Sequence, residues 1–455
     1  MKKRLTSLIL AASMLLVLPG CGAGEVPNPS APSAESHHQV VKAAYPVQVQ
    51  FPSEDDYEDW EKYYEQWELW REDANQWREG QVDSEVLADF LTAAVPELLT
   101  GTQGNEVCSP VNIYMALAML SEVTHANSQA EIFQTLGVHS LEEMRENAAK
   151  VWSSAYRNDG MVTSILANSL WLDRDITYKD ETVQALAEHY YASSYTGEMG
   201  SEELNKALRG WINEQTGGLL EQKAADLELS PETVLALAST VYFRAKWSNE
   251  FNPDRTTKGE FDMLNPDGGG VPCEFMNSSH TDTYYWSDNF SAVGKRLENG
   301  GKMWFIRPNH EEGVSVASLL DDPTTMDFIL ADGDWARNKF LVVNFSVPKF
   351  DVVGEKDLSD AMKRLGIHDV FDQSAANFTP ITDTPGVYVS EVDHAARVAI
   401  DEEGVTAAAY TVIPAPGAAM PPDEEVDFIL DKPFLFAITS ETGLPLFMGV
   451  VQNPA

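Results

Sequence analysis

The chain of 455 residues is poor in cysteine, in positive charge and in long apolar runs. Three cysteines, Cys21, Cys108 and Cys273, are too few for a disulfide-stapled scaffold. There are 31 Lys and Arg against 71 Asp and Glu, a formal net charge of -40. Such a surface repels phosphates and sulfates, which excludes nucleic acid, heparin and anionic lipid headgroups as partners. Beyond residue 21 no stretch approaches 18 continuous apolar residues, so none reads as a spanning helix. Catalytic signatures are missing too: there is no HExxH, no CxxC, no Gly-x-Ser-x-Gly and no phosphate-cradling loop. Gly268-Gly269-Gly270 follows Asn265-Pro266-Asp267 with no helix behind it, which is turn chemistry. The nine histidines include no i,i+4 pair, so neither a metal nor a cofactor is expected, and the chain does not read as an enzyme. What remains, 44% hydrophobic and 22% charged, is ordinary for a globular protein.

The first residues carry a different signal. Lys2, Lys3 and Arg4 precede an apolar stretch from Leu5 to Val17, too short to span as a mature helix. It ends in Leu18-Pro19-Gly20-Cys21, which resembles a bacterial lipobox. That resemblance implies a signal peptide over residues 1–20 and acylation of Cys21. The mature chain is then expected to be lipid-anchored on the outer side of the bacterial cell membrane, or released from there. Residues 21–53, rich in Pro, Ser and Ala without an apolar period, read as a flexible linker.

Residues 54–82 form an acidic aromatic segment. Trp60 and Trp67 are seven apart, as are Tyr63 and Trp70, and Trp70 and Trp77, the spacing of an amphipathic helix with an aromatic stripe. The stripe fits packing on the domain that follows; a docking helix for a surface partner is the alternative. From residue 83 to 455 the chain reads as one continuous domain. Helices are expected at 84–99, 110–122 and 357–365. Strands are expected at 303–306, 340–347, 386–392, 397–400, 434–438 and 446–451. Helices first and strands later predict an α+β fold. Cys108 falls in a stretch read as helical and Cys273 in one read as strand, and both are expected to be free buried thiols.

One segment is unusual. Asp401-Glu402-Glu403-Gly404 leads into Val405-Thr406-Ala407-Ala408-Ala409-Tyr410-Thr411-Val412-Ile413, then into a Pro, Gly and Ala loop ending at Met420-Pro421-Pro422. Small, strand-competent side chains followed by an extended loop suit a segment able to enter a narrow gap in a sheet. This run resembles the hinge and reactive loop of the serpins. Further blocks of that family follow in order: Asn105 with Ser109-Pro110 and Ala116 to Met119; Ala167 to Trp171; Trp211, Thr216 and Gly218; Val241 to Trp247 with Phe251. Val347 to Phe350, Leu365-Gly366-Ile367, Asp431 to Phe436 and Leu446 to Gly449 complete the series.

The resemblance implies the serpin fold: N-terminal helices, three β-sheets and an exposed reactive loop. It also implies an inhibitor of serine proteases, monomeric, acting as a suicide substrate through a covalent acyl-enzyme complex. The hinge is then Glu402, Glu403, Gly404, Val405, Thr406, Ala407, Ala408 and Ala409. Counting fourteen residues beyond Gly404 places the scissile bond at Ala418-Ala419. A small residue before the cut suits elastase-like or subtilisin-like pockets, and no Arg or Lys occurs between Gly404 and Lys432 for a trypsin-like one. Ser109, Asn112, Ser239 and His394 correspond to the polar shutter beneath the sheet opening, and Trp247 to the breach at its top. Serpins usually carry Ser and Asn where this chain has Asn112 and Ser239, an exchange that keeps one amide and one hydroxyl near the histidine. Pro414, Pro416 and Tyr410 depart from the family pattern and bear on how far the loop inserts. A non-inhibitory serpin acting as a surface binding protein or adhesin is the alternative reading.

Overall fold

In a computed structural model of the chain, the described residues are 38–53, 57, 59–79, 84–99, 104–216, 227–264, 269–298, 300–310, 313–389, 392–405 and 424–455. Cys21 and the expected signal peptide lie outside them. The apolar runs dominate the architecture, because nearly every side chain of Thr163–Asp173 and Leu235–Lys246 is buried and both stretches must be covered on two faces.

The first sheet contains β1 (Gln39–Val41), β3 (Arg157–Asn158), β4 (Thr163–Asp173), β5 (Ala192–Gly197), β6 (Leu235–Lys246), β12 (Phe350–Asp357), β13 (Asp393–Ile400) and β14 (Gly404–Val405). Their spatial order is β1-β5-β4-β6-β14-β13-β12, with β3 paired to β4. The second sheet contains β2 (Glu106–Cys108), β7 (Thr257–Asp262), β8 (Gly270–Trp286), β9 (Phe290–Arg296), β10 (Lys302–Pro308), β11 (Asn338–Pro348), β15 (Glu425–Ile429), β16 (Phe434–Thr439) and β17 (Pro445–Val451). Its order is β15-β11-β8-β9-β10-β16-β17-β2, with β7 on β8. The α+β class is as expected, with β4, β5 and β6 interleaved among the early helices.

Behind the first sheet lies a helix buried along its whole length, Pro110–Glu122. Ser109 caps it by accepting from the Asn112 N–H, and Pro110 opens it, where no N–H is needed. Cys108 therefore ends strand β2, paired to Met448 of β17, instead of lying in a helix; Cys273 is only half-buried in β8. β2 presses so closely on β12 that a Cβ on Gly354 would sit 2.2 Å from the Val107 carbonyl oxygen. Residues 386–389 form no strand, contrary to expectation: Gly386 turns at φ 76°, and the Val389 N–H donates to Val370 O at 2.7 Å.

The linker expected over 21–53 is, across its described part, an ordered strap. β1 adds to the free edge of β5, with Gln39 opposite Tyr195, and the Thr196 N–H donates to His38 O at 2.8 Å. Tyr45 then packs on Trp152, Tyr156 and Tyr191, with ring centroids 5.2, 5.8 and 6.3 Å away. Gln48 is buried, and its Oε1 accepts the Asn158 N–H. Edge pairing uses backbone groups alone, so a segment without apolar period still docks when an edge is open. Tyr45→Ala is expected to lower the unfolding free energy by about 2 kcal/mol, since it removes an aromatic body from three ring contacts. Urea unfolding at constant pH measures it; an unchanged midpoint would show the strap to be loosely held.

The acidic aromatic segment is helical over Trp60–Glu79, here α1. Its inner stripe packs on the domain. Trp70 donates to Asp159 Oδ2 at 3.1 Å and Trp77 to Ser153 O at 3.2 Å, while Arg78 and Arg157 both pair with Glu441. Trp60 and Tyr64 stay 60% and 58% exposed, so packing accounts for only part of the aromatic content. No helix among the described residues is long and apolar enough to cross a membrane.

Candidate functional site

The chain reverses between β13 and β14 through residues 401–403. Asp401 holds that turn, its Oδ1 accepting from the Glu403 and Gly404 N–H groups at 2.9 and 3.0 Å. Gly404 has no alternative here, because a Cβ would lie 2.5 Å from the Ala245 carbonyl oxygen. Val405 is fully buried, opposite Ala245 of β6 and Ile400 of β13. Glu402 is fastened from outside: its Oε1 accepts from Thr256 at 2.7 Å and pairs with Lys349 Nζ at 2.8 Å. Burial pushes the Glu402 carboxyl up, but the hydrogen bonds from Lys349 and Thr256 outweigh it and hold the group below its ordinary range.

Trp247, buried beneath this turn, donates from Nε1 to Asp401 O at 2.9 Å, and its N–H bonds Glu403 O. Lys295 lies over the Trp247 and Phe251 rings at 5.4 and 4.1 Å and donates to Asn249 O. Burial pushes its ammonium down to about 8, against the pull of Asp282. Trp247, expected at the breach, thus bonds the turn that leads into Gly404 and Val405.

Beneath Val405, among the described residues, β6 and β13 share no rung. β6 pairs with β4 on one side and with Gly404 and Val405 on the other; β13 pairs with β12 and, at Ile400 alone, with Val405. Two central strands of one sheet are therefore bridged only at one end, by a two-residue strand. Thr406, Ala407, Ala408, Ala409, Ala418 and Ala419 lie outside the described residues.

At the far end of this opening the four expected polar residues meet. Asn112 Nδ2 donates to Ser239 Oγ at 2.8 Å, and the Ser109 N–H donates to His394 Nε2 at 3.2 Å. Ser239 in turn donates to Asn168 Oδ1 at 2.6 Å, and Asn168 Nδ2 donates to Tyr190 O at 2.8 Å. Asn168 belongs to this network although it was not among the expected site residues. A polar residue in a wholly buried strand was the available signal, because such a group must find partners. The amide of Asn112 and the hydroxyl of Ser239 are thus bonded to one another. Asn112→Ser with Ser239→Asn is expected to show a coupling energy of about 0.5–3 kcal/mol in a double-mutant stability cycle. Strict additivity would remove the compensation.

His394 is fully enclosed. Accepting at Nε2 leaves the proton on Nδ1, which has no hydrogen-bond partner among the described residues, and burial pushes the ring down to about 3. The unfolded chain binds this proton near pH 6.5 and the folded one only near 3, so stability is full above 6.5 and falls as the pH drops through that window. The slope from this residue is about 1.4 kcal/mol per pH unit. The stability difference between wild type and His394→Asn should therefore shift by that slope between pH 6.5 and 4.5. A pH-independent difference would show that His394 titrates normally.

The frame of this site is an α+β fold in which two central strands of one sheet are bridged at one end by a two-residue strand. The family model described as serpin (serine protease inhibitor) matches residues 86–454. The chain belongs to the serpin family, which that model describes generally as inhibitors of serine proteases. Among curated relatives, serpin-ZX of Arabidopsis thaliana is 28% identical over 368 residues, covering 77% of this chain and 92% of its own. Putative serpin-Z12 of Oryza sativa subsp. japonica is 29% identical over 380 residues, covering 78% and 86%. Among solved structures, the thermophilic serpin tengpin in its native state superposes with a TM-score of 0.71 at 23% identity, covering 91% of this chain and all of that one. Arabidopsis AtSerpin1 in its native stressed conformation gives 0.68 at 24% identity, covering 81% and 98%. At these identities the structural likeness carries the fold alone.

Proposed function

We propose that this serpin inhibits elastase-like or subtilisin-like serine proteases as a one-use trap, with cleavage at Ala418-Ala419. The observation that carries the reading is β14: Val405 is already seated between two strands that share no rung below it. In the attack, the protease serine oxygen bonds to the Ala418 carbonyl carbon. The peptide bond to Ala419 breaks, and the Ala419 amine leaves with a proton supplied by the protease histidine. The segment from 406 onward is then free to extend β14.

The register states what each residue would meet. Val405 opposes Ala245 and Ile400, so in antiparallel continuation each step along the loop moves one step back on both neighbours. Thr411 then comes level with Ser239 and His394. Residues 405, 407, 409, 411 and 413 share the inward face with Phe243, Val241 and Val398, all buried. This face receives Ala407, Ala409, Thr411 and Ile413, small or β-compatible throughout, while Tyr410 turns outward. The Thr411 hydroxyl is suited to accept from His394 Nδ1, relieving a buried donor whose isolation costs about 1–3 kcal/mol. Extension past Ile413 reaches Pro414, which has no N–H to donate, so full insertion should be slower than insertion to that point.

The likeness of Leu18-Pro19-Gly20-Cys21 to a lipobox supports a lipid anchor on the outer face of a bacterial membrane, and the serpin likeness supports a monomer. The test of inhibition is a detergent-stable complex on a denaturing gel after mixing with elastase or subtilisin, with the cut mapped by mass spectrometry. Clean cleavage without a complex would reject the trap.

A further inference from the structure

Helix α1 carries three stripes, set by its 100° step per residue. The inner stripe, Tyr63, Trp70 and Trp77, packs on the domain. A second stripe, Trp60, Tyr64 and Trp67, lies beside it, with Trp60 and Tyr64 more than half exposed and their ring centroids 6.2 Å apart. The third, Glu61, Glu65, Glu68 and Glu72, is exposed along the other flank of those rings. Lys62 falls on the opposite side of the helix by the same step. Between residues 54 and 68 there are eight acidic residues and one lysine.

From this juxtaposition we propose that the outer face of α1 is a docking ledge for a cationic polypeptide segment rich in arginine or lysine. Exposed ring faces attract guanidinium and ammonium groups through the ring quadrupole, and the row of carboxylates adds charge complementarity. The helix already shows the interaction internally: the Arg71 guanidinium carbon stands 4.8 Å over the Trp67 ring, with Glu68 beside it. Tyr64 and Trp60, one and two turns further toward the N-terminus, have no such cation among the described contacts. The ledge stands outside the hinge and the sheet opening, so it does not depend on protease trapping.

The experiment is calorimetric titration of the full chain with an eight-residue arginine peptide at low and physiological salt, with a neutral N-acetylglucosamine hexasaccharide as the second probe. Trp60→Ala with Tyr64→Ala changes no charge and is expected to weaken peptide binding about five- to tenfold. Glu61→Gln with Glu65→Gln should weaken it as well and flatten its salt dependence. Both variants should keep the wild-type melting temperature, because all four side chains are exposed. Peptide affinity unchanged by the ring variant would overturn the proposal, since net charge alone would then hold the polycation. Saccharide binding that disappears with the rings while peptide binding persists would overturn it in favour of a sugar platform.

Discussion

Val405→Arg is expected to abolish the detergent-stable complex with an elastase-like protease while leaving cleavage of the loop intact, so that the inhibitor becomes a substrate. Val405 is fully buried between Ala245 and Ile400. A guanidinium at that position has no carboxylate in the ladder to pair with, and burying an unpaired charge costs several kcal/mol. The hinge would be held out of the sheet and the trap would lose its first step, whereas the scissile peptide, thirteen residues further on, would keep its chemistry. The measurement is the ratio of complex to cleaved product at fixed enzyme. A variant that forms complex as wild type does would show that insertion does not begin at Val405. Val405→Thr, similar in shape and strand-competent, should retain most of the complex and so separates charge from size.

Cutting the loop between residues 417 and 420 is expected to raise the melting temperature by about 10 °C. Extension of β14 from Thr406 through Ile413 adds eight interior strand residues, or about sixteen ladder hydrogen bonds at about 1 kcal/mol net each. Ordering those residues costs about 1–2 kcal/mol apiece, and burying Ile413 returns about 1.5–3 kcal/mol. The surplus is on the order of 6 kcal/mol, within a range of about 2 to 11 kcal/mol. Unfolding entropy is about 2.1 cal/mol/K per residue, so a domain of this size changes by about 0.8 kcal/mol per degree, which gives the stated shift. Thermal melts of intact and nicked chain, followed by circular dichroism, decide it. A nicked form that melts no higher would mean that the opening beneath Val405 offers the severed strand no gain in free energy.

Legibility followed the range of the physics. Gly404 was readable because the need for a residue without Cβ is written in one position, whereas the alternation expected from Val405 onward falls, after Val405, outside the described residues. Ser109, Asn112, Ser239 and His394 were named from the family resemblance, and they do meet; the bond that joins Asn112 to Ser239 spans 127 positions of sequence. Asn168 escaped because its partners, Ser239 and the Tyr190 carbonyl, come from a different strand and from a helix end. Lys349 and Thr256 were equally silent: each is an ordinary surface-compatible residue until the fold carries Glu402 between them.

Residues 38–53 give the sharpest contrast. Their composition describes a spacer, and by side-chain chemistry alone that description stands. Yet β1 holds by backbone bonds to an edge left open by β5, and the backbone is the same in every residue. The amino-acid order alone carried the family resemblance, as short blocks read in order along the chain, and the net charge, as a sum over side chains. Assembly in three dimensions specified the strap, the polar network around Ser239 and, among the described residues, the lack of a shared rung between β6 and β13, because each depends on which distant segments become neighbours, and that is a property of the whole chain's packing.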